Sequence, residues 1–251
     1  MLESLSAREK QIIHFLTESP QVSVAELGKR LGGSEVTIRT DLKNLAARGL
    51  ITRTHGGALP AFHKNILDRQ SLRSDEKHRL ARAAAELVQN GDTIMIQAGT
   101  TTALIPKYLL GKGNIHIVTD STLLLPHVRA NPSLTLTVVG GEFRTTTESF
   151  VGPLALETIR RFNVKLAFLG TDGFSLERGL TTHLVEGAEM VKAMAGQADR
   201  SVLLADSSKF GRLGFVTIMP ITAIDTLISD AELAPVNVEL LRELGLEVVL
   251  V

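Results

Sequence analysis

Along the first fifty residues, apolar side chains recur at intervals of three and four, the spacing of one face of an α-helix. Ile12, Ile13 and Leu16 predict a helix over 7–17, opened by Ser6 and Glu9 at capping-box spacing and broken at Ser19 and Pro20. Ser23 and Glu26 repeat that spacing around Val24, Leu27 and Leu31, which predicts a short second helix. Gly32 and Gly33 then turn the chain. Ser34 is placed to cap a third helix over 35–48 that buries Val36, Ile38, Leu42 and Leu45. Helix, helix, glycine turn, helix is the order of a helix-turn-helix. Past Gly49, the stretch 50–57 (LITRTHGG) reads as a strand, a Gly-Gly turn and a return, which is a wing.

Residues 59–70 have no clean period and read as a connector. From Ser74 a helix is expected to run to Gly91 and Asp92, with Leu80, Ala84 and Leu87 inward and Lys77, Arg79 and Arg82 in solvent. Beyond it, short β-branched runs appear at 93–96, 116–119, 134–139, 166–169, 202–204, 226–228 and 248–251. Helical patterns lie between several of them, at 102–110, 123–129, 155–161, 188–195 and 238–244. Such alternation predicts an α/β domain with a mainly parallel sheet, whose ligands bind at the carboxyl ends of the strands. The expected organisation is a winged helix-turn-helix in 1–58, a linker in 59–74 and an α/β domain in 75–251.

Charge changes this picture. The 251 residues carry 27 Lys/Arg and 27 Asp/Glu, but residues 1–82 hold 14 and 9, a net of +5, which leaves −5 for the remainder. A basic front part on an acidic back part fits a chain in which one part meets phosphate. The third helix leaves Ser34, Glu35, Thr37, Arg39, Thr40, Lys43 and Asn44 outside, groups of the size and polarity that reach into a major groove. Arg53, His55 and Gly56 lie near the tip of the wing. Glu35 is read as complementing the helix N-terminus, and Asp41 as the partner of a nearby arginine.

In the second part, the loops after the strands are rich in small polar groups. Gly99, Thr100, Thr101 and Thr102 form an anion cradle between a strand and a helix. Asp120 and Ser121, Gly140 and Gly141, and Thr171 and Asp172 follow three further strands, and Lys209 would supply a point charge for phosphate. Their convergence on one sheet edge predicts a pocket for a phosphorylated polyol. The chain has no cysteine, which excludes disulfides and thiolate chemistry, and its seven histidines never stand at metal-ligand spacing. No run approaches the roughly 18 apolar residues of a membrane span. The N-terminus shows no basic region followed by an apolar stretch, so a cytoplasmic chain without membrane partners is expected.

The stretches 24–31 (VAELGKRL), 34–42 (SEVTIRTDL) and 50–58 (LITRTHGGA) resemble the DNA-binding signature of DeoR-family bacterial transcriptional regulators. The loops at 99–102 (GTTT) and 207–211 (SSKFG) resemble the family's proposed phosphate loop and another of its signatures. The resemblance implies a repressor of a carbohydrate-catabolism operon, relieved by a phosphorylated sugar. It also implies an effector domain similar in fold to ribose-5-phosphate isomerase, operator DNA as partner, and a homodimer or homotetramer. His183 joins the effector residues through this resemblance, and the stretch 176–183 (LERGLTTH) looks most like regulators of galactitol, tagatose or amino-galactose use. The chain departs from the family pattern at Thr40, where a second Arg is frequent, at Asp120, where Asn is common, and at Gly187, where a Glu opens the helix.

The alternative is a sugar-phosphate isomerase with an appended DNA-binding domain, using Asp172, His183, Glu186 or Glu189 for proton transfer. The resemblance is to domains that bind without turnover, so no catalytic residue, cofactor or metal is expected.

Overall fold

A computed structural model describes residues 5–19, 22–54 and 56–251. The chain forms two compact units: the first runs to Leu72, and the second from Arg73 to Val251 apart from Thr145–Thr147.

In the first unit α1 (Ala7–Glu18), α2 (Val24–Leu31) and α3 (Glu35–Ala47) are followed by an antiparallel pair, β1 (Ile51–Thr54) and β2 (Gly57–Pro60). The expected caps form. The Ser6 hydroxyl accepts from the Glu9 N–H at 3.1 Å while Glu9 accepts from the Ser6 N–H at 2.8 Å. Ser23 and Ser34 accept from the N–H groups of Glu26 and Thr37. Between α2 and α3 the backbone closes on itself: Gly33 N–H donates to the Gly28 carbonyl at 3.0 Å. A Cβ on Gly28 would stand 2.8 Å from the Gly33 oxygen, so only glycine permits this turn. Ile12, Leu16, Leu27, Ile38, Leu42, Leu45 and Leu50 make the core.

Two expectations change in this part of the chain. Val36, expected inside, is 75% exposed. It lies two residues from Ile38, about 200° around the helix, and the inward stripe is Ile38, Asp41, Leu42 and Leu45. The stretch expected to be a bare connector contains α4 (Lys64–Ser71), whose Leu67 joins the core. Pro20 and His55 lie outside the described residues.

The second unit begins with α5 (Ser74–Glu86), on which Lys77, expected in solvent, is buried beside Leu80, Ala81 and Ala84. Its sheet comprises β3 (Thr93–Ile96), β4 (Ile115–Thr119), β5 (Leu134–Val138), β8 (Val164–Leu169), β11 (Ala198–Leu204), β13 (Thr226–Ser229) and β14 (Glu247–Leu250). The order is β14-β13-β11-β8-β3-β4-β5, and every pairing is parallel. All seven expected runs are therefore strands of one sheet. The helices α6 (Leu125–Arg129), α7 (Pro153–Ile159), α8 (Val185–Ala195) and α9 (Pro235–Glu243) match four of the helical patterns. The fifth, Thr102–Tyr108, is a 3₁₀ helix, and its Pro106 lacks the N–H an α-helix would need. Two further features carry no clear sequence signal. One is the hairpin of β6 (Glu142–Arg144) and β7 (Ser149–Val151). The other is an antiparallel sheet of β9 (Gly173–Ser175), β10 (Gly179–Thr182) and β12 (Val216–Met219). Among the described residues no helix is long and apolar enough to cross a membrane.

Because the α2–α3 turn leaves no room for a methyl group, Gly28→Ala should lower the stability of the first unit by about 1–3 kcal/mol, the usual cost of overpacking. Chemical denaturation followed by circular dichroism reads this directly; an unshifted midpoint would show that the turn relaxes freely.

Candidate functional site

Two groups of residues are candidates, one in each unit. On the first, α3 buries Ile38, Leu42 and Leu45 and turns Ser34, Glu35, Val36, Arg39, Thr40, Lys43 and Asn44 to solvent. Thr37 is half-buried, and its hydroxyl lies 2.9 Å from the Ser34 hydroxyl. Arg39 Nη2 reaches Glu35 Oε2 at 3.4 Å, so Glu35 also holds the arginine one turn along, beyond its expected role at the helix end. Asp41 is buried and accepts from Arg8 Nε at 2.6 Å and Nη2 at 3.2 Å, which is the expected arginine partnership. Arg53 and Gly56 are exposed on the β1–β2 hairpin. The exposed cations Arg39, Lys43 and Arg53 thus stand on the two elements expected to meet DNA.

In the second unit, the parallel sheet brings the loops after β3, β4, β5, β8 and β11 to one edge, on adjacent strands. They are tied to one another. Asp120, 1% exposed, accepts from the Ala98 N–H at 2.7 Å, which links the loops after β3 and β4. Gln97 Oε1 accepts from the Gly170 N–H at 3.1 Å and links the β3 and β8 loops. The Asp120 carbonyl accepts from Phe150, and the Glu148 carbonyl from Thr122, so the β6–β7 hairpin closes over the β4 loop. Thr122 also donates to the Glu148 carboxylate.

These bonds divide the expected effector residues. The Thr102 hydroxyl is fully buried and donates to the Gln97 and Gly99 carbonyls. Thr171 donates to the Gly173 and Thr181 carbonyls, and buried Ser121 accepts from the Leu123 N–H. These hydroxyls tie the loops to their own backbone, so a ligand at this edge would meet them as groups already held in place. Gly99 packs its Cα face on Thr102, where a Cβ would stand 2.8 Å from the hydroxyl. The segment 99–102, expected to cradle an anion, opens a seven-residue 3₁₀ helix, so what it offers is the N–H groups of a first turn and no long helix dipole. Thr101 is half-buried, Thr100 buried, and Gly140 and Gly141 are exposed. Asp172 accepts from the Thr182 hydroxyl at 2.8 Å and the His183 N–H at 3.2 Å, and His183 itself is exposed. Lys209 is half-buried in a 3₁₀ turn capped by Asp206.

Sequence reading missed Gln97, Glu148 and Arg73. Arg73, in the left-handed region at φ 51°, reaches Glu232 at 2.6 Å and lies within 3.6 Å of Asp206 and Asp230 at the ends of β11 and β13. Its role in neutralising that edge has no local sequence signal, because Asp206, Asp230 and Glu232 are more than 130 residues away.

Residues 8–61 match the DeoR-like helix-turn-helix domain, and residues 72–231 match the DeoR C terminal sensor domain. The chain is 32% identical over 252 residues to a putative aga operon transcriptional repressor of Escherichia coli O157:H7, covering 98% of this chain and 94% of that one. It is 32% identical to the glycerol-3-phosphate regulon repressor of Escherichia coli K12, covering 92% of each. Among solved structures, ribose 5-phosphate isomerase A of Methanocaldococcus jannaschii aligns with 55% of this chain and 54% of its own, at 20% identity and a TM-score of 0.39.

Burial pushes the Asp120 carboxyl up to about 7 from 3.8, despite its hydrogen bond from Ala98. The folded protein therefore keeps this proton at pH values where the unfolded chain has lost it. The corresponding stability is fully present below pH about 4 and is lost as pH rises toward 7, a change on the order of a few kcal/mol. Asp120→Asn, which keeps an oxygen for Ala98 and cannot ionise, should flatten that part of the profile. Urea midpoints of both proteins at pH 5 and pH 8 check this; parallel shifts would remove Asp120 as the source.

Proposed function

The chain belongs to the DeoR family of transcriptional regulators, and on that premise we propose that α3 and the β1–β2 hairpin hold operator DNA until a phosphorylated sugar occupies the carboxyl edge of the large sheet. The observation that carries the DNA reading is the face of α3. A helix anchored by Ile38, Leu42 and Leu45 presents Ser34, Glu35, Thr37, Arg39, Thr40 and Lys43 on its other sides, with Arg53 on the wing beside them in sequence. Arginine and lysine suit phosphate and guanine edges, and small hydroxyls suit either. His55 is assigned to the wing contact with Arg53 and Gly56.

For the effector, the reading rests on the cradle 99–102, the loops at Asp120, Gly140 and Asp172, and Lys209, all following strands that end at the same edge. Unused N–H groups and one lysine suit a dianionic phosphate, and neutral or acidic groups suit hydroxyls. One family relative is named as the repressor of a regulon for glycerol-3-phosphate, a compound of this chemical class. Asp172 and Glu186, which the isomerase alternative would use as bases, are engaged in bonds to Thr182, His183 and Arg144. We read the unit as a sensor without turnover, acting in the cytoplasm. One winged helix covers little DNA, so paired heads in a dimer or tetramer would match repeated half-sites. A sugar phosphate can release DNA only by binding the two states with different affinity.

The test is anisotropy of the protein on its own upstream DNA, titrated with a panel of sugar phosphates at fixed salt. Release by one of them identifies the inducer; no release by any would overturn the sensing scheme. Arg39→Ala should weaken DNA binding by about 1–3 kcal/mol if it reads a base, and unchanged affinity would remove it from the reading set. Lys209→Ala should bind DNA as before but no longer respond to the inducer. A normal response, or loss of the folded state in a melting experiment, would count against its placement in the pocket.

A further inference from the structure

Val36 is the one large apolar side chain on the outward face of α3, and it is 75% exposed. Isolated exposed apolar residues are ordinary on protein surfaces; what separates this one is its position and its neighbour. It sits in the first turn of the helix, the part of a recognition helix that meets base edges. Arg39, Thr40 and Lys43 lie three, four and seven residues further on, along the same side, and all are exposed. Thr40 adds to the apolar character. Its hydroxyl donates to the Val36 carbonyl at 3.0 Å, which leaves the γ-methyl as the group it offers outward. Val36 and Thr40 together form a strip of methyl groups flanked by the Glu35–Arg39 pair on one side and Lys43 at its end.

Only one base presents a methyl group in the major groove, the C5-methyl of thymine, and apolar contact is how it is read. We propose that Val36 and Thr40 are specificity-determining residues that recognise thymine methyls in the operator half-site, while Arg39 and Lys43 supply hydrogen bonds and charge. The assignment rests on the DNA reading of α3. It gives Val36 a role that burial cannot, since the core of the unit is complete without it.

The test starts from random duplexes enriched on the full-length protein, and measures anisotropy at fixed salt on the selected site. Each thymine is replaced in turn by deoxyuracil, which removes the methyl and leaves pairing intact. The native protein should lose about fourfold in affinity at one or two thymines per half-site, the value of one buried methyl group. Val36→Ala should bind the thymine site about fourfold or more weakly and be indifferent to uracil at one of those positions; Thr40→Ser, which removes only the methyl, should behave in the same way at its own position. Both side chains are exposed, so melting temperatures should not move. Uniform affinity across all uracil substitutions, or full methyl sensitivity retained in both variants, overturns the assignment and leaves α3 as a DNA reader. Failure to enrich any duplex overturns the DNA reading together with it.

Discussion

Parallel pairing of seven strands obliges every connection to return the chain to the starting end of the sheet, so β3, β4, β5, β8, β11 and β13 all open their loops on one edge. Backbone groups in those loops have no ladder to join and must find other partners. They find side chains. Asp120 takes the Ala98 N–H, Gln97 takes the Gly170 N–H, Thr102 gives its proton to two carbonyls, and Asp230 takes the Ser207 N–H. Several of the polar residues at this edge are thus part of the frame. The effector pocket proposed for this edge would be preorganised: the loops are held before a ligand arrives, and ordering them would cost the ligand little.

A second constraint of the same kind governs the small unit. The α2–α3 turn is tight because Gly28 and Gly33 touch through backbone alone, and this fixes the angle at which α3 leaves the core. Arg8 adds a bidentate grip on the buried Asp41 in the middle of α3. Removing Arg8 from this grip would leave the Asp41 carboxylate unpaired with little access to water, so the buried acid is tolerated through its arginine partner. The outward face of α3 is therefore set by contacts on its inner side.

Much of this was legible along the chain. The three helices with their serine caps, the glycine turn and all seven strands of the large sheet follow from local periodicity, because each element buries one face or both against a neighbour. What could not be read were properties set by distant partners. The backbone bonds of the Thr102, Thr171 and Ser121 hydroxyls, for example, have no signature in the sequence. Val36 matches the helical period loosely and still faces outward, because the inward stripe is set by Ile38, Leu42 and Leu45. The short antiparallel strands β6, β7, β9, β10 and β12 are three or four residues long, too brief for an alternation to register. Helix α4 escaped notice because it buries only the adjacent pair Ile66 and Leu67. Arg73 acquires its meaning from Asp206, Asp230 and Glu232, far along the chain.

The two acids on α3 show why position decides function more than residue type. Asp41 points inward, is 7% exposed, and belongs to the fold through Arg8. Glu35 is exposed and holds Arg39 at 3.4 Å, in a pair that water and salt screen to about 0–1 kcal/mol. Exchanging that partner for a guanine or a phosphate costs the protein little. On the proposed DNA reading of α3, a duplex that offered Arg39 no good acceptor would bring Glu35 toward backbone phosphate with nothing to offset the repulsion. The acid would then weaken wrong sequences more than the right one, and discrimination of this kind comes from a repulsive element as much as from an attractive one. A purely basic reading helix would bind more tightly everywhere and choose less well.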